Sequence, residues 1–249
     1  MTNDRPVPEP RPVRPVPARP AEPLYRRWRS WWLPVPGVVL LVLTLMVGLA
    51  IRAYSVTSPD MTVDLEISEG RNPLLNAVAL GVHYGIGPLG AVILLAAICL
   101  WLAVVRKDLL QALTFGSITS IGWLSSEIGK VVVARVRPPH ETLHALVLET
   151  GSASFPSGHT AFAAALSWAV VLVLTRPGVQ RRWLVAAAIV FTVGVGLSRL
   201  YLGVHYPTDV TASVVIATAA LLIWLPIWNR LIEPALRGSR LRPRFITGA

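Results

Sequence analysis

The chain has 249 residues, of which 53% are hydrophobic and only 14% charged, with a formal net charge of +10. Soluble domains carry roughly a quarter charged residues, so this balance excludes an ordinary soluble globular protein and points to a membrane protein. The single cysteine, Cys99, lies within an apolar run, which excludes a disulfide framework. The basic residues sit between long apolar runs, which suits anionic lipid surfaces and argues against a nucleic-acid partner.

Residues 1–24 hold eight of the 21 prolines. Such a stretch sustains neither helix nor sheet and lacks the apolar core of a signal peptide, so residues 1–30 are expected to be a disordered Pro/Arg-rich tail. Arg26, Arg27 and Arg29 alternate there with Trp28, Trp31 and Trp32, the mixture that a membrane interface selects.

Six apolar segments follow, at about 35–51, 86–105, 109–129, 160–175, 183–198 and 210–228. A helix needs roughly 20 residues to cross a bilayer, so several of these must extend into their flanks. Unpaired strands would leave backbone groups unsatisfied in lipid. The expected fold is therefore all-α, a polytopic membrane protein with six transmembrane helices occupying 31–230. Residues 231–249 form a second basic tail. Placing the N-terminus inside puts 17 of the 23 lysine and arginine residues on the cytoplasmic side. That asymmetry predicts a plasma-membrane protein with both termini cytoplasmic. Six basic residues are left outside: Arg52, Arg71, Lys130, Arg135, Arg137 and Arg199.

Three polar clusters interrupt the spans on that outer side. The first runs from Lys130 to Arg137-Pro138. Seven residues is close to two helical turns, so the two cations can share a helix face, with Pro138 marking the helix end. Read alone, they are a pair of snorkelling interfacial cations. The second is Pro156-Ser157-Gly158-His159, just before the fourth span. The free N–H groups of a helix start, approached closely at Gly158, make an anion site, though Ser157 capping an ordinary helix would read the same. The third joins Ser198-Arg199 to His205 and Asp209. A guanidinium at the end of an apolar helix demands an anion. A carboxylate four residues after a histidine can fix its tautomer and free the other nitrogen, or can simply cap the last span.

Taken together, the clusters supply three cations, a hydroxyl, helix-start donors, two histidines and one carboxylate. Cations and backbone donors are what the equatorial oxygens of a phosphoryl group require. One histidine can attack while the other protonates the leaving oxygen. Zinc held by two histidines and an aspartate would leave the cations unexplained, so no metal and no other cofactor is expected.

At these residues the chain resembles the type 2 phosphatidic acid phosphatase superfamily. All three blocks occur in order, without departure, across the region from the first span to the sixth. The resemblance implies that His205 is the nucleophile that forms a phosphohistidine, with Asp209 holding its ring and His159 acting as general acid. It implies that Lys130, Arg137 and Arg199, with the Ser157 side chain and the Gly158 N–H, bind phosphate without a metal. The substrate would be a lipid or isoprenoid phosphate. Candidates are undecaprenyl or decaprenyl phosphates and diphosphates, phosphatidic acid and phosphatidylglycerol phosphate. An extracytoplasmic site ranks recycling of an isoprenoid carrier diphosphate first. A phosphotransferase would use the same residues, and a non-catalytic membrane protein would keep the spans with a dead site. The family's soluble vanadate-dependent haloperoxidases do not fit six spans. The pattern carries no signal for a particular oligomer.

Outside the blocks, Glu127 should pair with Lys130 within one helix. His83, His140 and His144 read as solvated histidines. Residues 60–78 carry four acids among Val63, Leu65, Ile67, Leu74 and Leu75, the content of a surface-lying segment or a loop. Trp183, Trp224 and Trp228 read as interfacial belt residues.

Overall fold

The computed structural model describes residues 24–54, 59–149, 151–175 and 178–238. Most of the expected tails, at 1–23 and 239–249, lies outside the described residues. The helices are α1 (Pro34–Arg52), α2 (Pro59–Glu69), α3 (Pro73–Gly85), α4 (Pro88–Val104), α5 (Leu109–Val133), α6 (His140–Leu143), α7 (Gly158–Ala169), α8 (Val179–Tyr201), α9 (Pro207–Ile227) and α10 (Glu233–Gly238). Five of them begin with proline, whose fixed φ suits the first helical turn and whose missing N–H is no loss there. A π-turn at Val170–Leu174 prolongs α7, and another at Trp228–Ile232 joins α9 to α10. No strand occurs among the described residues, only an isolated bridge between Val136 and Ala153.

α7 is the central post. It packs against α5, α8 and α9, and nine of its twelve residues are buried. Ala161, Ala163, Ala164 and Ala165 keep that helix thin, which is how membrane helices approach closely when lipid supplies no hydrophobic drive. Close approach is also built where α5 meets the segment leading into α7. A Cβ on Gly129 would lie 2.4 Å from Cδ of Pro156, so glycine there seats the turn that starts α7.

α1 is the opposite case. Val38, Val42 and Leu43 on it are about half exposed, the outward apolar face expected of a lipid-facing helix. α1, α8 and the stretch Pro207–Gly238 are long and apolar enough to cross a membrane. α3 and α4, bent by 65° at their junction, pass the same test as a pair.

Three sequence expectations change. α5 stops at Val133, because Ala134 adopts a left-handed conformation with φ 46°. Lys130 and Arg137 therefore do not share a helix face; Arg137 stands on an extended segment beyond the helix. Residues 60–78 are not a loop: they form α2 and the start of α3, with Val63, Leu65 and Leu74 exposed and Asp64 turned inward. Trp228 is not a belt residue but is buried, 4% exposed, in the core cluster with Tyr25, Leu225 and Leu172. Trp183, by contrast, is exposed. Of the N-terminal segment, Leu24–Arg27 form one 3-10 turn that docks on this end of the core, where Asn229 donates to the carbonyls of Tyr25 and Trp28.

Candidate active site

The turn after α5, the start of α7 and the link between α8 and α9 converge at one end of the bundle. All eight candidate residues gather there, on or beside these three junctions. Beyond Ala134 the chain runs extended, pinned by the Ser154 N–H donating to the Arg135 carbonyl at 2.8 Å. Side chains alternate along an extended segment, so Val136 faces out, 66% exposed, while Arg135 and Arg137 turn the same way. They reach the two ends of one His–Asp pair.

His205 is 2% exposed. Its Nε2 lies 3.1 Å from an Arg137 guanidinium nitrogen, and its Nδ1 is 3.6 Å from Oδ2 of Asp209. A guanidinium only donates, so Nε2 carries the lone pair and Nδ1 the proton that faces the carboxylate. Burial, then the Arg137 and Arg199 charges, holds His205 well below the ordinary imidazole range, which keeps that ring neutral. Asp209 does double duty: its Oδ2 accepts from the Tyr206 N–H at 2.9 Å and so caps α9, while the same oxygen faces His205. Its Oδ1 meets Arg135 at 2.9 Å.

At the head of α7, Ser157 is the helix cap, with its hydroxyl accepting from the Thr160 hydroxyl at 3.2 Å. A Cβ on residue 158 would stand 3.3 Å from Lys130 Nζ, so Gly158 leaves the ammonium room beside the helix start. Lys130 pairs with Glu127 at 2.7 Å, the intrahelical pair read from sequence. His159 Nε2 lies 3.3 Å from the His83 carbonyl, which makes that nitrogen the protonated one.

Two participants escaped the sequence reading. His83 is not a solvated histidine: its ring stacks on His159 at 5.5 Å, and its Nδ1 accepts from Arg199 at 2.9 Å. Glu149 supplies the anion that buried Arg199 demands, through a short ion pair, and lies 3.9 Å from Arg137. Burial pushes the Glu149 carboxyl up, but Arg199 and Arg137 outweigh it and hold it below its ordinary value. A carboxylate is thus resident among the cations proposed for phosphate. Neither residue had a sequence signal: Glu149 is a lone acid, and Arg199 meets His83 across 116 positions. Among the described residues, no group of three or more His, Cys, Asp and Glu is placed to hold a metal ion.

Comparison with known proteins gives the same region. Residues 109–233 match the sequence profile of the PAP2 superfamily. The chain is 31% identical over 180 residues to Phosphatidylglycerophosphatase B of Bacillus subtilis, covering 70% of this chain and 85% of that one. It is 37% identical over 76 residues to Undecaprenyl-diphosphatase BcrC of the same organism, 30% of this chain and 36% of that relative. The crystal structure of a transmembrane PAP2-type phosphatidylglycerolphosphate phosphatase from Bacillus subtilis superposes with a TM-score of 0.62 at 26% identity, covering 85% of this chain and all of that one. With half of its length matching the family profile and a full helical frame shared with a solved member, the chain is a membrane protein that belongs to the PAP2 superfamily.

Proposed function

We propose that this protein is an integral membrane lipid phosphatase that transfers the phosphoryl group of a lipid or isoprenoid phosphate to His205 and then to water. The observation that carries the reading is the Arg137–His205–Asp209 line, which leaves the lone pair of Nε2 at the cation cluster and the Nδ1 proton toward a carboxylate. As the Arg137 N–H passes from Nε2 to a phosphate oxygen, Nε2 attacks phosphorus in line with the leaving oxygen, the P–O bond breaks, and the His159 imidazolium gives the lipid alcohol or phosphate its proton and becomes neutral. Water then attacks the phosphohistidine, losing a proton to His159, and inorganic phosphate leaves. Lys130, Arg137, Arg199, the Ser157 hydroxyl and the Gly158 N–H hold the equatorial oxygens. The incoming phosphate replaces the Glu149 carboxylate at Arg199 and Arg137.

The chain would cross the membrane six times through α1, α4, α5, α7, α8 and α9, with the site on the extracytoplasmic side. The arginine-rich segments at the opposite helix ends support that orientation. The test is phosphate release in detergent with chelator present, on phosphatidylglycerol phosphate, undecaprenyl diphosphate and phosphatidic acid. Turnover by the wild type, abolished in His205→Ala and His159→Ala, is the expected result. Turnover that chelator removes, or that survives in His205→Ala, refutes the mechanism.

A further inference from the structure

We propose that Arg135 is a positioning residue for the His205–Asp209 pair, and that α2 anchors it through Asp60. The inference rests on the site reading above and deepens it. Arg135 is completely buried, and its guanidinium is spent on fixed partners. One nitrogen meets Asp209 Oδ1 at 2.9 Å and donates to the Thr208 hydroxyl at 2.6 Å; the other meets Asp60 Oδ2 at 2.9 Å. The Thr208 hydroxyl in turn donates to Asp60, which closes a ring of contacts. The guanidinium carbon also sits 3.9 Å from the centroid of the Tyr206 ring, a cation–π stack that fixes its plane.

The consequence falls on Asp209. Its Oδ1 is held by Arg135 and its Oδ2 by the Tyr206 N–H, so the carboxylate cannot turn, and Oδ2 stays aimed at His205 Nδ1. Without Arg135, the completely buried Asp209 would lose its counter-charge and the guanidinium's hold on Oδ1, keeping only the Tyr206 N–H and the Ser154 side chain among its carboxylate's described hydrogen-bond partners. The carboxylate could then shift from the His205 ring, whose Nδ1 faces it at 3.6 Å and has no closer acceptor among the described residues.

α2 brings a second acid to the same place. Asp64 is 1% exposed, and neither carboxylate oxygen has a hydrogen-bond partner among the described residues. Burial, then the charges of Asp60 and Asp209, pushes its carboxyl up to about 8, with Arg135 opposing. Asp64 is therefore neutral at neutral pH, and the one guanidinium balances two carboxylates rather than three. The network's link to the phosphate cations runs through His205 and the Asp209 charge, which reach Arg137, so its effect should fall more on the rate of phosphoryl transfer than on binding.

The experiment measures kcat and KM in detergent micelles, with whichever of phosphatidylglycerol phosphate, undecaprenyl diphosphate and phosphatidic acid the wild type turns over fastest, for the full chain and for Arg135→Gln, Arg135→Lys, Asp60→Asn and His205→Ala. Melting temperatures are recorded for each. Arg135→Gln should lower kcat roughly 10–100-fold, as loss of an outer-sphere orienting partner does, with KM within about twofold. Arg135→Lys should recover part of that loss. Asp60→Asn, which leaves the Arg135–Asp209 contact intact, should lose a few-fold in kcat alone. Folded Arg135→Gln at wild-type kcat, or one whose KM rises while kcat holds, overturns the proposal. If Arg135→Gln does not fold, Asp60→Asn decides, and wild-type kcat there overturns it. A wild type without turnover on any of the three lipid phosphates, or an active His205→Ala, sinks the site reading and this inference together. A dead His205→Ala beside a fully active Arg135→Gln sinks this inference alone.

Discussion

Arg135 and Arg137 are two residues apart on one extended segment, yet they carry different kinds of charge. Arg135 has no exposed side-chain surface and binds two carboxylates at 2.9 Å. Arg137 is 17% exposed and donates to the carbonyls of Gly151 and Val204 and toward His205. Its nearest ion-pair carboxylate among the described residues, Glu149, stands off at 3.9 Å, and the Asp209 charge acts on it from farther away. A guanidinium saturated by buried acids is structural capital that cannot respond to a ligand. One held by neutral carbonyls keeps most of its field for an incoming anion. The two sides of His205 differ in the same way: a closed ionic network behind Asp209, and an open cluster of cations at Nε2.

The comparison breaks most visibly at Arg137. Arg137→Ala should lower kcat/KM by about 10²–10³-fold, the cost of removing one charged donor from a phosphoryl transition state, with KM rising as well. A loss confined to kcat would instead give Arg137 the role argued for Arg135. Next comes pH. In the proposed mechanism His205 must be neutral to attack, and its depressed value keeps it neutral into the acid range, so the acidic limb of kcat/KM should lie below pH 6.5, the ordinary imidazole value. Removing the Arg137 charge should move that limb upward relative to wild type on the same substrate, so that the substrate's own titration cancels. An unmoved limb would detach it from His205.

A smaller effect is expected at Glu149. Glu149→Gln keeps the shape but removes the anion that, in the proposed mechanism, competes with phosphate, so KM should fall roughly fivefold, about 1 kcal/mol. A KM that rises would make Glu149 a scaffold for Arg199. The last effect concerns stability and not rate. The Asp64 carboxyl is raised from 3.8 to about 8 in the folded protein, so the unfolded chain ionises first as pH increases. Its contribution is fully present below the unfolded value and is lost progressively as pH rises to about 8. Melting temperature in detergent should therefore fall over that window in wild type. It should fall less in Asp64→Asn, which copies the neutral acid. Parallel curves for the two proteins would show that Asp64 does not titrate there.

What could be read from the sequence was what is written locally. The six apolar runs correspond to α1, α4, α5, α7, α8 and α9 because length and apolarity are properties of a segment. α2 and α3 escaped, since acids among scattered leucines fit neither an apolar run nor a polar helix face in water. Val63 and Leu65 go outward and Asp64 inward, which reverses the usual pattern. The three polar blocks were legible because each lies at a helix end with its own chemistry. Their partners were not. Asp60 meets Arg135 across 75 positions, and Glu149 meets Arg199 across 50, distances that only the closed bundle collapses. One clue was available: Pro138 favours extended backbone before it, which would have put Arg135 on the same side as Arg137.

The resident carboxylate of Glu149 has a consequence for how a catalytic cycle ends. Two arginines sunk in a membrane protein are costly to leave without counter-charge, even briefly. With Glu149 always at hand, product departure in the proposed cycle would be an exchange of one anion for another, and the site would pass from turnover to turnover without ever standing bare.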